Sequence, residues 1–230
     1  TVHWHGLLVP NYMDGVPEIT QYPLGPRQAV VIEYPIVQSG SYWYHSHYGL
    51  QEQQGLRGPY IIEEARPAYD YDKDITVFMT DWLDQSPEGI IPQIRDEQPQ
   101  TAAVKTPVQG GEPFPGTTPF NIDVNYPGYL MNGKSVDDPW TMQVKQGDRL
   151  RLRLINGSTA TFFRVQLEDH EMEIIAADGQ PVVPTKAGNV VLAIAERYDV
   201  LVTIRKSGSF TLDAAALGTT RKVAGVLHTA

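Results

Sequence analysis

The chain contains no cysteine. Disulfides and thiolate metal ligands are thereby excluded, so any metal must rest on histidine, carboxylate, methionine or backbone oxygen. No apolar run approaches the roughly 20 residues that cross a bilayer. No charged-then-apolar leader precedes the first histidines, and the expectation is that a leader was removed or lies outside these residues. Basic residues are in deficit, 18 against 27 acidic ones, for a net charge of −9. Nucleic acid and anionic membranes both select positive patches, so small molecules, metals or cationic partners fit better. The Gly-x-x-x-x-Gly-Lys spacing of a phosphate loop is missing, as is any Ser-His-Asp arrangement worth defending.

Segments of helical period are also scarce. What the 230 residues do carry, at 41% hydrophobic content, is a succession of short β-rich runs separated by Gly, Pro, Asn and Asp. "AVVIEYPI", "GSYWYHSH", "GPYIIEE" and "DITVFMTDW" predict strands of a meander or Greek key. From Asp84 to about Gly128 the composition shifts to Pro, Gln, Gly and Thr, which predicts a long surface excursion. Its one helix candidate is "SPEGIIPQIRDEQ", with Ser86 as cap, Pro87 in the first turn and Pro92 limiting the length. Strands then resume with "GYLMNG", "WTMQVKQGDRLRLRLING", "FFRVQLEDHEMEIIAADG", "NVVLAIAERYDVLVTI" and "GSFTLDAAA". The strict alternation of "RLRLRLIN" predicts one face wet and the other burying Leu150, Leu152 and Leu154. An all-β chain of two sandwiches is expected, with units at 1–66 and 67–230. Thr1 reads as the middle of a strand, so the first sandwich is expected to be truncated.

Four of the six histidines fall in two His-x-His pairs, His3 with His5 and His45 with His47. On a strand, residues two apart point the same way and lie about 6.5 Å apart. His3 and His5 therefore share a face while Trp4 points away. By the same parity Trp43, His45 and His47 face together, opposite Tyr42, Tyr44 and Ser46. Two such strands side by side aim four imidazoles into one space, and neutral imidazole suits Zn, Cu, Fe and Ni. A single His-x-His is more often structural; two pairs flanked by Trp and Tyr favour metal. Spacing alone leaves the metal open, since a cupin-like barrel holding Zn or Fe also uses such a strand.

The segments "HWHG", "MDGVPEITQYPLGP", "GSYWYHSH" and "QEQQGLRGPYIIEE", in that order, resemble the multicopper oxidases, the family of laccases, ascorbate oxidases and bacterial copper-resistance oxidases. "HYGLQEQQGLRGP" followed by "DITVFMTDWLDQSPEGI" is most similar to the periplasmic copper-resistance branch. "YLMNGK", "LRLRLINGS", "IIAADGQPV" and "AERYDVLV" resemble that family's second domain. The resemblance implies cupredoxin-like Greek-key sandwiches and a trinuclear copper cluster between the first and last of three. By motif position it implies that His3 binds the type 2 copper, and that His5, His45 and His47 bind the type 3 pair. Asp14, in "MDGVP", matches an acidic residue that helps supply protons to reduced oxygen; read by itself it is equally a turn aspartate before Gly15.

The family's remaining cluster histidines and its His-Cys-His stretch, whose cysteine is the type 1 copper ligand, have no counterpart in these residues. The expectation is a fragment, completed by a third cupredoxin domain or a partner chain and inactive alone. The implied activity of the complete protein is one-electron oxidation of phenols or Cu(I) coupled to reduction of O2 to water, in the periplasm or outside the cell. A non-catalytic module that sequesters copper is the alternative. His170 and His228 stand alone; His170 reads as structural, and Met131, Met142 and Met172 as core filler. The aromatic residues Trp4, Tyr42, Trp43 and Tyr44 read mainly as packing. "NGS" at Asn156 matches a glycosylation triplet and equally suits a turn.

Overall fold

A computed structural model describes residues 1–96, 122 and 124–229. Among the described residues the strands form three sheets. The first is antiparallel, in order β1 (Val2–His5), β2 (Gly40–Ser46), β3 (Arg57–Ile62). The second has six strands, in order β10 (Gln180–Ala187), β9 (Met172–Ala177), β12 (Arg197–Thr203), β7 (Arg149–Asn156), β4 (Lys73–Trp82), β5 (Gly128–Met131). The third runs β11 (Val190–Leu192), β8 (Phe163–Leu167), β13 (Ser209–Ala216), β14 (Lys222–Thr229), β6 (Trp140–Val144). Two junctions are parallel, β4 with β7 and β14 with β6; the other pairings are antiparallel. The fold is the cupredoxin-like, all-β one that the motifs imply.

The main core lies between the second and third sheets. Val77 and Met79 of β4, Leu150, Leu152 and Leu154 of β7, and Val200 and Val202 of β12 meet Val165, Leu212, Ala214 and Leu227 there. None of its residues precedes Ile75. The first sheet instead lies against the outer face of the second, where Trp43 of β2 packs with Phe78 and Ile155. The result is three stacked layers of sheet.

That stacking corrects the reading of "RLRLRLIN". The leucines are buried as expected, but Arg151 and Arg153 are buried too, Arg153 at 1% exposure. Their face is not wet. Arg151 pairs with Asp199 and Glu64 (both 2.6 Å), and Arg153 with Asp74 (2.6 Å) and with the hydroxyl of Ser41 (3.1 Å). Alternation reports two chemically different faces, and here the polar face meets a third layer.

Other expectations divide. "AVVIEYPI" forms no strand: Val30, Val31 and Ile36 are exposed, because β-propensity becomes a strand only where a neighbour supplies the ladder. In "SPEGIIPQIRDEQ" a 3-10 turn at Pro87–Gly89 is followed by α1 (Ile91–Asp96). Pro92 therefore sits in the first turn of the helix, where a missing N–H costs nothing, and does not end it. Glu97 and Gln98 of that candidate, and the excursion up to Asn121, lie outside the described residues. Two strands escaped the sequence reading. β10 carries Pro181 and Pro184, tolerated because it is the edge of its sheet, and β14 follows a run of turn residues.

Candidate metal centre

The register of β1 and β2 builds the centre. His3 lies opposite His45, and His5 opposite Trp43. Strand parity then turns all four imidazoles to one side of the sheet, while Trp4 goes to the other, against Tyr34, Tyr44 and Tyr60. The ring centre of His3 lies 5.8 Å from that of His5, 5.3 Å from His45 and 5.6 Å from His47. His45 lies 5.5 Å from His5 and 5.7 Å from His47. Nitrogens of His3, His5 and His45 fall within 4.8 Å of one another. His47, just beyond the end of β2, is at the exposed rim.

The hydrogen-bond partners fix which nitrogen of each ring faces inward. Nδ1 of His3 lies 2.9 Å from the carbonyl of Asp14 and 3.2 Å from its Oδ1. Nδ1 of His45 lies 3.0 Å from the carbonyl of Ser46 and 3.0 Å from Oε2 of Glu52. All four partners are acceptors, so both Nδ1 atoms carry a proton, and in the neutral ring it is Nε2 that presents the lone pair. Nε2 of His45 faces Nδ1 of His5 at 3.3 Å. The indole of Trp43 stacks beneath both, 4.4 Å from the ring of His45 and 5.0 Å from that of His5.

Burial, and then the nearby Arg197 guanidinium, pull the pKa of His5 down to about 3. Its ring is consequently neutral at any physiological pH. Arg197 is itself held by the carbonyls of Ser41 and Ala195 and by Asp178. Imidazoles converging on one space, two of them held from behind by carbonyl and carboxylate, are a donor set that fits copper.

Asp14 is beside His3, and its backbone is part of the contact. The following residue, Gly15, has φ +76°, and a Cβ there would lie 1.7 Å from the carbonyl oxygen of Val2. Glycine is what lets the Asp14 turn close onto β1.

The residues read as structural are so placed. His170 is buried, with Nδ1 2.6 Å from the carbonyl of Glu168 and its ring edge-on to Phe210. Met131 and Met172 are fully buried in the main core and Met142 packs against it. The Asn156 side chain is buried and donates to the carbonyls of Thr161, Leu192 and Ala193, so it locks a turn and is not available for glycosylation. Two contributors were not singled out from sequence, Arg197 and Glu52. For Glu52 the signal was available, a lone carboxylate among three glutamines in "QEQQ", a few residues past the second His pair.

Comparison with known proteins gives the family. The family model described as "Multicopper oxidase" matches residues 73–230, and a second of the same description matches residues 1–67. Copper resistance protein A of Escherichia coli is 32% identical over 260 residues, covering all of this chain and 41% of that protein. Multicopper oxidase MmcO of Mycobacterium tuberculosis is 33% identical over 234 residues, covering all of this chain and 46% of that protein. The crystal structure of the Botrytis aclada laccase superposes with a TM-score of 0.76 at 26% identity, over 99% of this chain and 42% of that one. The chain thus spans about two fifths of the length of its first curated relatives. Matched along nearly its full length by the two family models, with two histidine pairs converging at the join of its first two strands, the chain belongs to the multicopper oxidase family.

Proposed function

We propose that the protein is a laccase-like oxidase that couples one-electron oxidation of phenols or Cu(I) to reduction of O2 to water. The observation that carries this reading is the convergence of the four imidazoles of His3, His5, His45 and His47 on one side of β1 and β2. In it, His3 holds the type 2 copper, and His5, His45 and His47 hold the type 3 pair. Copper supplies the one-electron steps; the chain's own residues supply its orientation and its protons.

Asp14, with Oδ1 3.2 Å from the His3 ring and partly open to solvent, is placed to pass protons toward reduced oxygen. The units are residues 1–66, which carry the histidines, and 67–230, which bear them up. A third cupredoxin domain or a partner chain supplies the other cluster ligands and the type 1 copper through which electrons enter. The family's chemistry suits the periplasm or the cell exterior, and no helix among the described residues is long and apolar enough to cross a membrane.

The test is made in the full protein. Replacing His45 or His47 with Ala should abolish O2 uptake with a phenolic reductant while leaving the blue type 1 colour, whose ligands lie elsewhere. Loss of the blue band with O2 uptake intact would refute the assignment. Copper retained by the unaltered protein without any O2 uptake would favour the sequestering module.

A further inference from the structure

The turn between His47 and Arg57 does more than reverse the chain. It is fastened on either side of Glu52 to three separate places. Gln51 accepts from the Ser46 hydroxyl at 2.7 Å. Gln53 accepts from the Tyr126 hydroxyl at 2.8 Å and from that of Thr159. Gln54 donates to Glu88 at 3.1 Å. Within the turn, the amide of Gly55 closes onto the carbonyl of Glu52 at 2.9 Å, and the amide of Leu56 onto that of Gln51 at 2.9 Å. Glu52 turns toward the histidines, where its Oε2 meets Nδ1 of His45.

We propose that Glu52 is a positioning residue for the metal centre. Its carboxylate locks the His45 ring in place, with the proton on Nδ1 and the Nε2 lone pair aimed at the metal. This rests on the reading of His45 as a copper ligand. The Ser46 carbonyl shares the task at the same distance, but it is neutral, and a hydrogen bond to a carboxylate is roughly twice as strong. A carboxylate behind a ligating imidazole also raises the basicity of the ring and holds it through metal exchange, which is worth about 10–100-fold in metal affinity. The mirror arrangement serves the other strand, where Asp14 backs His3. Each strand of the pair thus has one histidine held from outside by a carboxylate on the loop that follows it. Because three flanking glutamines are anchored first, the cost of ordering Glu52 is met by the fold before any metal binds.

The experiment compares the full-length wild type with E52L and E52Q, using copper itself as the probe. Two readouts are taken: histidine tautomers by nitrogen NMR on metal-free, histidine-labelled protein, with His45 assigned by its loss in H45A, and copper affinity by competition with a chromophoric chelator. E52L should show His45 as a mixture of tautomers and bind copper on the order of 10–100-fold more weakly. E52Q, whose amide oxygen still accepts from Nδ1, should keep the wild-type tautomer and recover most of the affinity. The proposal is overturned if E52L leaves the tautomer unchanged, or if E52Q fails to recover the affinity that E52L loses. Should E52L not fold, E52A takes its place in both measurements. Failure of the underlying reading looks different: H45A would then bind copper as well as the wild type, whatever the tautomers show.

Discussion

Gly15 occupies a position that any other residue would strain. With φ at +76° and the Val2 carbonyl 1.7 Å from where a Cβ would be, Gly15→Ala must push the Asp14 turn away from β1. Positive φ alone costs about 1–3 kcal/mol in a non-glycine residue, and the clash adds to it. The expected outcome is a lower urea midpoint together with weaker copper retention, since the Asp14 carbonyl and carboxylate both leave His3. An unchanged midpoint and unchanged copper content would show that the turn has room the geometry denies it. The histidines themselves were legible in the sequence because ligand chemistry is written in residue type and parity, neither of which depends on the rest of the fold. The orienting partners were not. Asp14 was visible only through its motif, and Glu52 is brought to His45 by a turn whose shape depends on Tyr126, Thr159 and Glu88.

Strands show the same division between local and distant information. In β7 and β12 the periodicity identified the strands and, in β7, the core-facing leucines, because that pattern is imposed by the pleat. It could not report what covers the other face. Arg151 and Arg153 are satisfied by Asp199 from β12, Asp74 from β4, and Ser41 and Glu64 from the first sheet or just after it. These partners are dozens of residues away along the chain. Conversely "AVVIEYPI" has the propensity of a strand without the partner. For Arg153→Ala, which removes a buried guanidinium, strips the exposed Asp74 of its partner and leaves the buried Asp199 with Arg151 alone, the expected loss in urea unfolding is about 3 kcal/mol, the low end for breaking a buried pair. A loss below about 1 kcal/mol would mean that this buried network behaves like surface ion pairs.

Across the whole molecule the first sheet depends on the second for its burial, and this dependence has a pH signature. The guanidinium of Arg151, by its hydrogen bonds to the carboxylate, holds the pKa of Glu64 below its ordinary value of 4.5. A lowered folded-state pKa contributes stability that is present above 4.5 and is lost as pH falls through the lowered value. The wild type should therefore exceed E64Q in stability at pH 7, and the two should converge as the pH is lowered through the carboxylate range. Thermal unfolding of both proteins between pH 7 and 3 checks this; a gap that does not narrow would assign the Glu64 contribution to something other than its charge. The layering also has a consequence in time. Ser41 reaches its partner Asp199 only across 158 residues of sequence, and the ribosome needs about 8–30 s to add that many at 5–20 residues per second. For that interval β2 lacks its buried partner on β12, so the segment that carries the histidines is made well before the strand that completes its support. A nascent chain stalled before Asp199 should still be open there to a protease that the finished protein resists.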